Sequence, residues 1–391
     1  MNPSMRSKYL YTRLLSFSTR RSLHKGDGGR GPSSFGPSAA TPLGCRPRYR
    51  TRSGPRAGPP MTVSDADQEF LAVLVHRGFL DHALAVRVLR RTEEAGLDAA
   101  LGEALGWDEA RIAYLRRTGG LRRPEIPGYR VERRVGVGGT AEVFAARARD
   151  GRKVALKILL PALARDREAV RRFLAEARLL ERLDHPGIVK GRRVFRFAGT
   201  YVLEMDYISG KTLLEMLDDG AIFTEQEALA IVLQVARALE ALRAAGVVHR
   251  DLKPGNLMMR ADGRVVLIDL GFAGPGGEGG GDGTTLGTPA YLAPEQARGE
   301  AGLDARADIY SLGATLYHLV VGELPFSGET DEEVLRQQVL SGLSGKALKG
   351  GRVSPRLHFL IEKMMAKDRE VRYANAAELV ADIEAMTRSE L

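Results

Sequence analysis

One stretch, His249-Arg250-Asp251-Leu252-Lys253-Pro254-Gly255-Asn256, brings a carboxylate, an ammonium and an amide close together in the chain. Asp269-Leu270-Gly271 follows it, behind an apolar strand predicted over Val265 to Ile268. Asp251 can accept a proton from a hydroxyl, and Lys253 can neutralise a phosphate in transit. Asn256 and Asp269 offer oxygens to a hard divalent cation. Together these are the parts of phosphoryl transfer. The chain has only three Asn and seven His, so one of each in these slots is not a by-product of composition.

A second pair lies upstream. Lys157 ends the apolar stretch Val154-Ala155-Leu156-Lys157, and a buried ammonium without a partner costs several kcal/mol. Glu176, in the middle of the next helical stretch, is the partner the sequence provides. Ahead of both, Val135-Gly136-Val137-Gly138-Gly139-Thr140-Ala141 is a glycine-rich loop whose backbone N–H groups can close over phosphate with no Cβ in the way. By itself such a loop also serves a plain hairpin turn.

The elements that must hold these groups are legible as patterns. Tyr129 to Val135, Glu142 to Ala148 and Lys153 to Leu159 alternate apolar and polar residues around glycine turns, which predicts antiparallel strands. Asp166 opens a helix with Val170, Phe173, Leu174, Ala177 and Leu180 on one face, and it must end before His185-Pro186. A further strand is predicted over Tyr201 to Met205. The remainder reads as helices: 224 to 245, entered by the capping box Thr224/Glu227 and stopped at Gly246, then 307 to 321, 331 to 340, 354 to 366 and 375 to 386. This is an α+β pattern, a small antiparallel β lobe with one helix joined to a larger helical lobe.

Gly287-Thr288-Pro289-Ala290-Tyr291 and Ala293-Pro294-Glu295 complete the set. With them, residues 129 to about 388 resemble a eukaryotic-type (Hanks-type) serine/threonine protein kinase of the bacterial branch, whose motifs are those quoted above. The resemblance implies the two-lobed protein kinase fold, ATP as phosphate donor, Mg2+ with Mn2+ as an alternative ion, and proteins bearing Ser or Thr as substrates. It implies Asp251, Lys253, Lys157 and Glu176 as catalytic residues, and Asn256 and Asp269 as metal ligands. Val143, Ala155 and Met258 would sandwich the adenine, Met205 would be the gatekeeper, and Asp206 to Ile208 the hinge. Thr288 would be the substrate shelf. Asp308 would brace the catalytic loop, and Arg372 would pair with Glu295. Lys253 beside Thr288 is the serine/threonine-selective arrangement. Two positions depart from the pattern: Ala141 stands for the third glycine of the loop, and Leu270 stands where many relatives have Phe.

The stretch Gly274 to Gly283 is almost all glycine and acid. We expect it to be ordered by autophosphorylation at Thr284 or Thr285, the new phosphate bridging Arg250 and Arg172. In the alternative, Glu278 or Asp282 already supplies the charge and the enzyme is constitutively active. Two other readings of the whole fit the motifs less well. A pseudokinase scaffold would normally have lost Lys157, Asp251 or Asp269. A small-molecule phosphotransferase would lack the Gly-Thr-Pro-Ala-Tyr and Ala-Pro-Glu segments.

The formal charge of +9 resides in the first 60 residues, which hold twelve Lys or Arg against a single acid, Asp27. The rest is close to neutral, which argues against nucleic acid as a partner. No apolar run approaches the length of a membrane span, and the sole cysteine, Cys45, suits a reducing, cytoplasmic setting. Residues 1–60 read as a disordered basic leader, either a transit peptide or a segment upstream of a start at Met61. Residues 61–123 read as a small helical module at which a regulator binds, with Trp107 and the leucines as its core, and 124–128 as a linker.

Overall fold

The computed structural model describes residues 63–76, 78–118, 124–277, 287–343 and 353–388. The basic leader, Glu278, Asp282, Thr284 and Thr285 lie outside the described residues. The chain divides into two compact units, with the boundary between Arg122 and Arg123.

Among the described residues of the first unit, the helices α1 (Asp65–His76), α2 (His82–Ala95), α3 (Leu97–Leu105) and α4 (Glu109–Thr118) share one core. Asp81 caps α2 by accepting from the Leu84 amide at 2.6 Å, and Asp108 accepts from the Arg111 amide at 2.7 Å. Phe79 and Trp107, each one residue past a left-handed glycine, meet edge to face at 5.8 Å. Trp107 is buried in that core.

The second unit opens with an antiparallel sheet of β1 (Tyr129–Val137), β2 (Ala141–Ala148), β3 (Lys153–Leu159), β4 (Gly191–Phe197) and β5 (Thr200–Asp206), in the order β1-β2-β3-β5-β4. Helix α5 (Arg167–Arg182) follows β3 and is capped by Asp166, which accepts from the amides of Glu168 and Ala169. Its apolar stripe, Phe173, Ala177 and Leu180, faces the core.

The expected alternation along the strands is not what β2 and β3 show. Phe144, Ala145 and Ala146 are buried in succession, as are Val154 to Lys157. The cause is that the sheet is covered on both faces. One face joins the main core, and the other carries Ile126, Ala146, Val154, Leu156 and Val202 beneath Tyr129 and Phe195. Ile126, inside the stretch read as a linker, is therefore packed as part of this unit. Tyr129 stacks on Phe195 at 5.9 Å, and its hydroxyl bonds to the buried Glu204 carboxylate, which Arg193 also engages at 2.8 Å.

Beyond β5 come β6 (Gly210–Thr212), α6 (Leu213–Asp218), the long α7 (Glu225–Ala244) and β7 (Val247–Val248). Strands β8 (Leu257–Arg260) and β9 (Val265–Leu267) form a small sheet with β6, and β10 (Gly274–Pro275) pairs with β7. Among the described residues there follow α8 (Pro294–Ala297), α9 (Ala305–Val321), α10 (Asp331–Leu340), α11 (Pro355–Met364) and α12 (Ala376–Arg388). Every residue from Ala307 to Tyr317 is buried, so α9 is the axis of the helical lobe. The capping box at Thr224 and Glu227 is present at the start of α7. Among the described residues no helix is long and apolar enough to cross a membrane.

Candidate active site

Lys157 sits on a central strand with its aliphatic stem among apolar neighbours, so its ammonium must find anions close by. It finds two: Glu176 Oε1 at 2.5 Å, from α5, and Asp269 Oδ1 at 2.8 Å, just past β9. Burial alone would lower the lysine pKa, but the two carboxylates outweigh it and hold the ammonium charged well above its ordinary value. Burial raises Glu176, against the pull of Lys157. For Asp269 burial also pushes upward, but the Lys157 charge and hydrogen bonds from Lys157 and the Gly271 amide bring it below the usual carboxylate range. Gly271 sits close against the cluster. A Cβ at this position would lie 3.2 Å from Asp269 Oδ1, so the carboxylate would have to give by a few tenths of an ångström.

The second cluster surrounds Asp251, which is buried. Its Oδ1 accepts from the Thr288 amide at 3.1 Å and the Thr288 hydroxyl at 3.3 Å. Its Oδ2 faces Lys253 Nζ at 2.8 Å and Asn256 Nδ2 at 3.1 Å. Lys253 Nζ also donates to Thr288 Oγ1 at 2.5 Å. Asn256 spends its second amide bond on the Asp251 carbonyl, at 2.8 Å, which leaves its side-chain oxygen as the group able to ligate a cation. Gly287, at φ 123°, adopts backbone that disfavours any other residue, and a Cβ there would strike Leu292 at 2.6 Å.

The loop carrying Asp251 is held under strain. Arg250 has φ 69°, a left-handed conformation rare for a side chain of its size. Asp308, buried on α9, fixes it by accepting from the His249 and Arg250 amides, each at 2.8 Å. Burial raises the Asp308 pKa despite these bonds. Gln296 Nε2 adds a bond to the Arg250 carbonyl at 2.8 Å. Arg372 and Glu295 form a buried pair at 2.6 Å below this region.

The glycine loop joins β1 to β2, and its neck is closed by the Gly138 amide donating to the Ala141 carbonyl at 2.9 Å. Gly136 pairs with Val143, Val137 with Glu142, and Val143 in turn with Lys157. Ala141 is buried opposite Leu159, so the missing third glycine is met by a residue serving as a strand anchor. Val135, Val137, Gly139 and Thr140 line the exposed rim. Ala155 is paired on one side with Ala145 and on the other with Met205, both inside the lobe. Asp206 is clamped by Arg192 at 2.6 and 2.9 Å, ahead of Ile208, and Met258 lies on β8 opposite Val266. Arg250 Nη2 donates to the Pro275 carbonyl at 2.5 Å, and Arg172, on the exposed face of α5, pairs with Glu168 at 2.7 Å.

Sequence reasoning missed the Gln296 contact, the Arg192–Asp206 clamp and the Tyr129–Glu204 pair. A Gln in a polar helix start and an Arg on an edge strand carry no periodic signal. Glu204, inside the apolar run of β5, did carry one, because a lone acid there calls for a partner.

A protein kinase domain family model matches residues 129–382. A probable serine/threonine-protein kinase of Streptomyces coelicolor is 37% identical over 263 residues, covering 64% of this chain and 38% of its own. The serine/threonine-protein kinase PknB of Mycobacterium tuberculosis is 36% identical over 258 residues, covering 64% and 41%. A probable PknB of Corynebacterium glutamicum is 36% identical over 277 residues, covering 67% and 42%. The matched region is thus less than half the length of each of these relatives. Its two clusters, its two-lobed fold and the extent of this match make the chain a member of the protein kinase family.

Proposed function

We propose that the chain is a serine/threonine protein kinase that moves the terminal phosphate of ATP onto Ser or Thr hydroxyls of proteins. The observation that carries this reading is the division of labour on Asp251. One carboxylate oxygen faces the Thr288 shelf, and the other faces Lys253 and Asn256. In this arrangement Asp251 orients the incoming hydroxyl and accepts its proton, and Lys253 stabilises the phosphate charge that develops as the proton leaves. Lys157, held by Glu176, presents its ammonium to the phosphates already bound, and the glycine loop covers them.

The donor set suits magnesium. The Asp269 carboxylate and the Asn256 amide oxygen are hard ligands of the kind the ion takes with substrate phosphates, and they would hold it. When bound, magnesium supplies neutralisation of the phosphate oxygens. Val143, Ala155, Met205 and Met258 are the apolar residues to receive an adenine, with Asp206 to Ile208 at the lobe junction. A pseudokinase would lack Lys157, Asp251 or Asp269, and all three are engaged here.

Residues 61–123 we read as the seat of a regulator, supported by a core of their own. A cytoplasmic setting is supported by the single cysteine and by the lack, among the described residues, of a spanning helix. The test is incubation of the purified protein with radiolabelled ATP and magnesium, alone and with a generic basic protein. Label should appear on Ser or Thr of the protein. Binding of ATP with no transfer would sink the reading in favour of a scaffold.

A further inference from the structure

Pro289 and Ala290, the two residues after Thr288, turn their carbonyls toward the helical lobe, and one side chain meets both. Gln338 Nε2, on α10, donates to Pro289 O at 3.1 Å and to Ala290 O at 2.8 Å. Gln338 is fully buried, and neither the catalytic loop nor the Lys157 cluster is among its partners. Its amide has one workable orientation. Oε1 accepts from the Tyr310 hydroxyl at 2.6 Å, and reversing the group would press that oxygen against two carbonyls.

Tyr310 is itself committed. Lys367 Nζ donates to the Tyr310 oxygen at 3.0 Å, so the hydroxyl proton must point at Gln338. Lys367 also donates to the Gln338 carbonyl at 2.7 Å and lies 4.2 Å from the centre of the Phe326 ring. Each member of this chain thus orients the next, from Lys367 through Tyr310 and Gln338 to the backbone that carries Thr288. A polar network this deep is retained at a desolvation cost that an apolar Gln338 replacement would avoid, and its terminus is the substrate shelf.

We propose that Gln338 is a positioning residue for the protein substrate: by holding the Pro289 and Ala290 carbonyls, it sets the register of Thr288 against Asp251 and Lys253. This rests on the kinase reading above. Lys367 and Tyr310 act one step further back, by fixing the direction of the Gln338 amide. The predicted signature is separation of the two substrates. ATP does not rest on this turn, but a Ser- or Thr-bearing chain laid on Thr288 does.

Gln338→Met keeps the volume and removes the donor. Its kcat/KM for a protein substrate should fall about tenfold or more, the scale of one buried hydrogen bond lost, with KM for ATP and the rate of ATP hydrolysis within about twofold. Gln338→Glu, which sets an acceptor against the two carbonyls, should lose at least as much. Tyr310→Phe leaves the amide in place without its guide and should lose less. Thermal melting of all three identifies any variant that fails to fold, and the remaining ones then decide. Protein phosphorylation by Gln338→Met within twofold of wild type, or a loss of ATP hydrolysis in step with phosphorylation in folded variants, overturns the inference alone. A wild-type protein that hydrolyses ATP and phosphorylates no protein overturns the kinase reading, and this inference with it.

Discussion

Arg372 and Glu295 meet fork to fork in the helical lobe, Nη1 to Oε1 at 2.6 Å and Nη2 to Oε2 at 2.8 Å, with side chains 0% and 5% exposed. Arg372 also donates to the carbonyls of Ala366, Arg306 and Lys367. In so dry a setting, removing one partner leaves the other charge stranded. Arg372→Met should lose about 3–5 kcal/mol of stability, and the Arg372→Met/Glu295→Leu double variant less than the sum of the single losses. Denaturant unfolding of the four proteins measures the coupling. Simple additivity would show that the pair does not act as a unit.

Asp251→Asn keeps the shape of the loop and its bonds to Thr288, but removes the proton acceptor. Phosphoryl transfer should drop at least ~100-fold with ATP affinity little changed. Near-wild-type turnover would rule out Asp251 as the base.

Asp269→Asn acts on the other cluster. It removes the anionic oxygen for magnesium and one of the two carboxylates at Lys157. Titration calorimetry should show binding of magnesium–ATP falling by an order of magnitude or more, with metal-free ATP affected much less. Equal affinity in both proteins would remove Asp269 from the ion site.

Thr284, Thr285 or both should become phosphorylated in recombinant protein, with activity rising as this proceeds. Arg172 is held by an exposed Glu168 pair of little strength, so it is available to a dianionic phosphate. Mass spectrometry beside the Thr284→Ala/Thr285→Ala protein is the check. An unmodified segment with full activity would favour Glu278 or Asp282 as the built-in charge.

Lys367 gives a pH signature. Burial, with the charges of Arg372 and Arg298, brings its pKa down from 10.5 to about 8. Between those values the unfolded chain holds a proton that the folded chain has released, so this lysine's contribution to stability rises with pH from about 8 to 10.5. Below that window its unfavourable contribution is present in full. The stability difference between wild type and Lys367→Met should therefore shift in favour of wild type as the buffer is raised across the window. A pH-independent difference would contradict it.

How far the site could be read in advance depends on what each residue's signal was. Asp251, Lys253, Asn256 and Asp269 are close in sequence and chemically unusual there, so they stand out as a group, and the fold places them in the two clusters described. Lys157 and Glu176 were readable because a lysine in an apolar strand demands an anion. Gln338 was not. It lies in an unremarkable stretch of α10 and its importance comes from two carbonyls far back in the chain. Strand β4 was missed for a similar reason, since Arg192, Arg193 and Arg196 read as surface until Arg193 is seen to lie over the Tyr129 and Phe195 rings. Strands β6, β7, β8 and β10 are too short to carry a period of their own, whereas β9 coincides with the strand expected over Val265 to Ile268.

Ile126 has a practical consequence for where the catalytic unit starts. The family match begins at Tyr129, yet Ile126 is 3% exposed against Val154, Leu156 and Val202. A fragment cut at the first matched residue would remove the side chain that packs with Val154, Leu156 and Val202 on the outer side of the sheet that carries Lys157. It would also leave Tyr129 as a chain terminus, placing a new positive charge near the Arg193–Glu204 pair. The smallest piece able to fold cleanly therefore begins several residues before the point at which the likeness to its relatives begins.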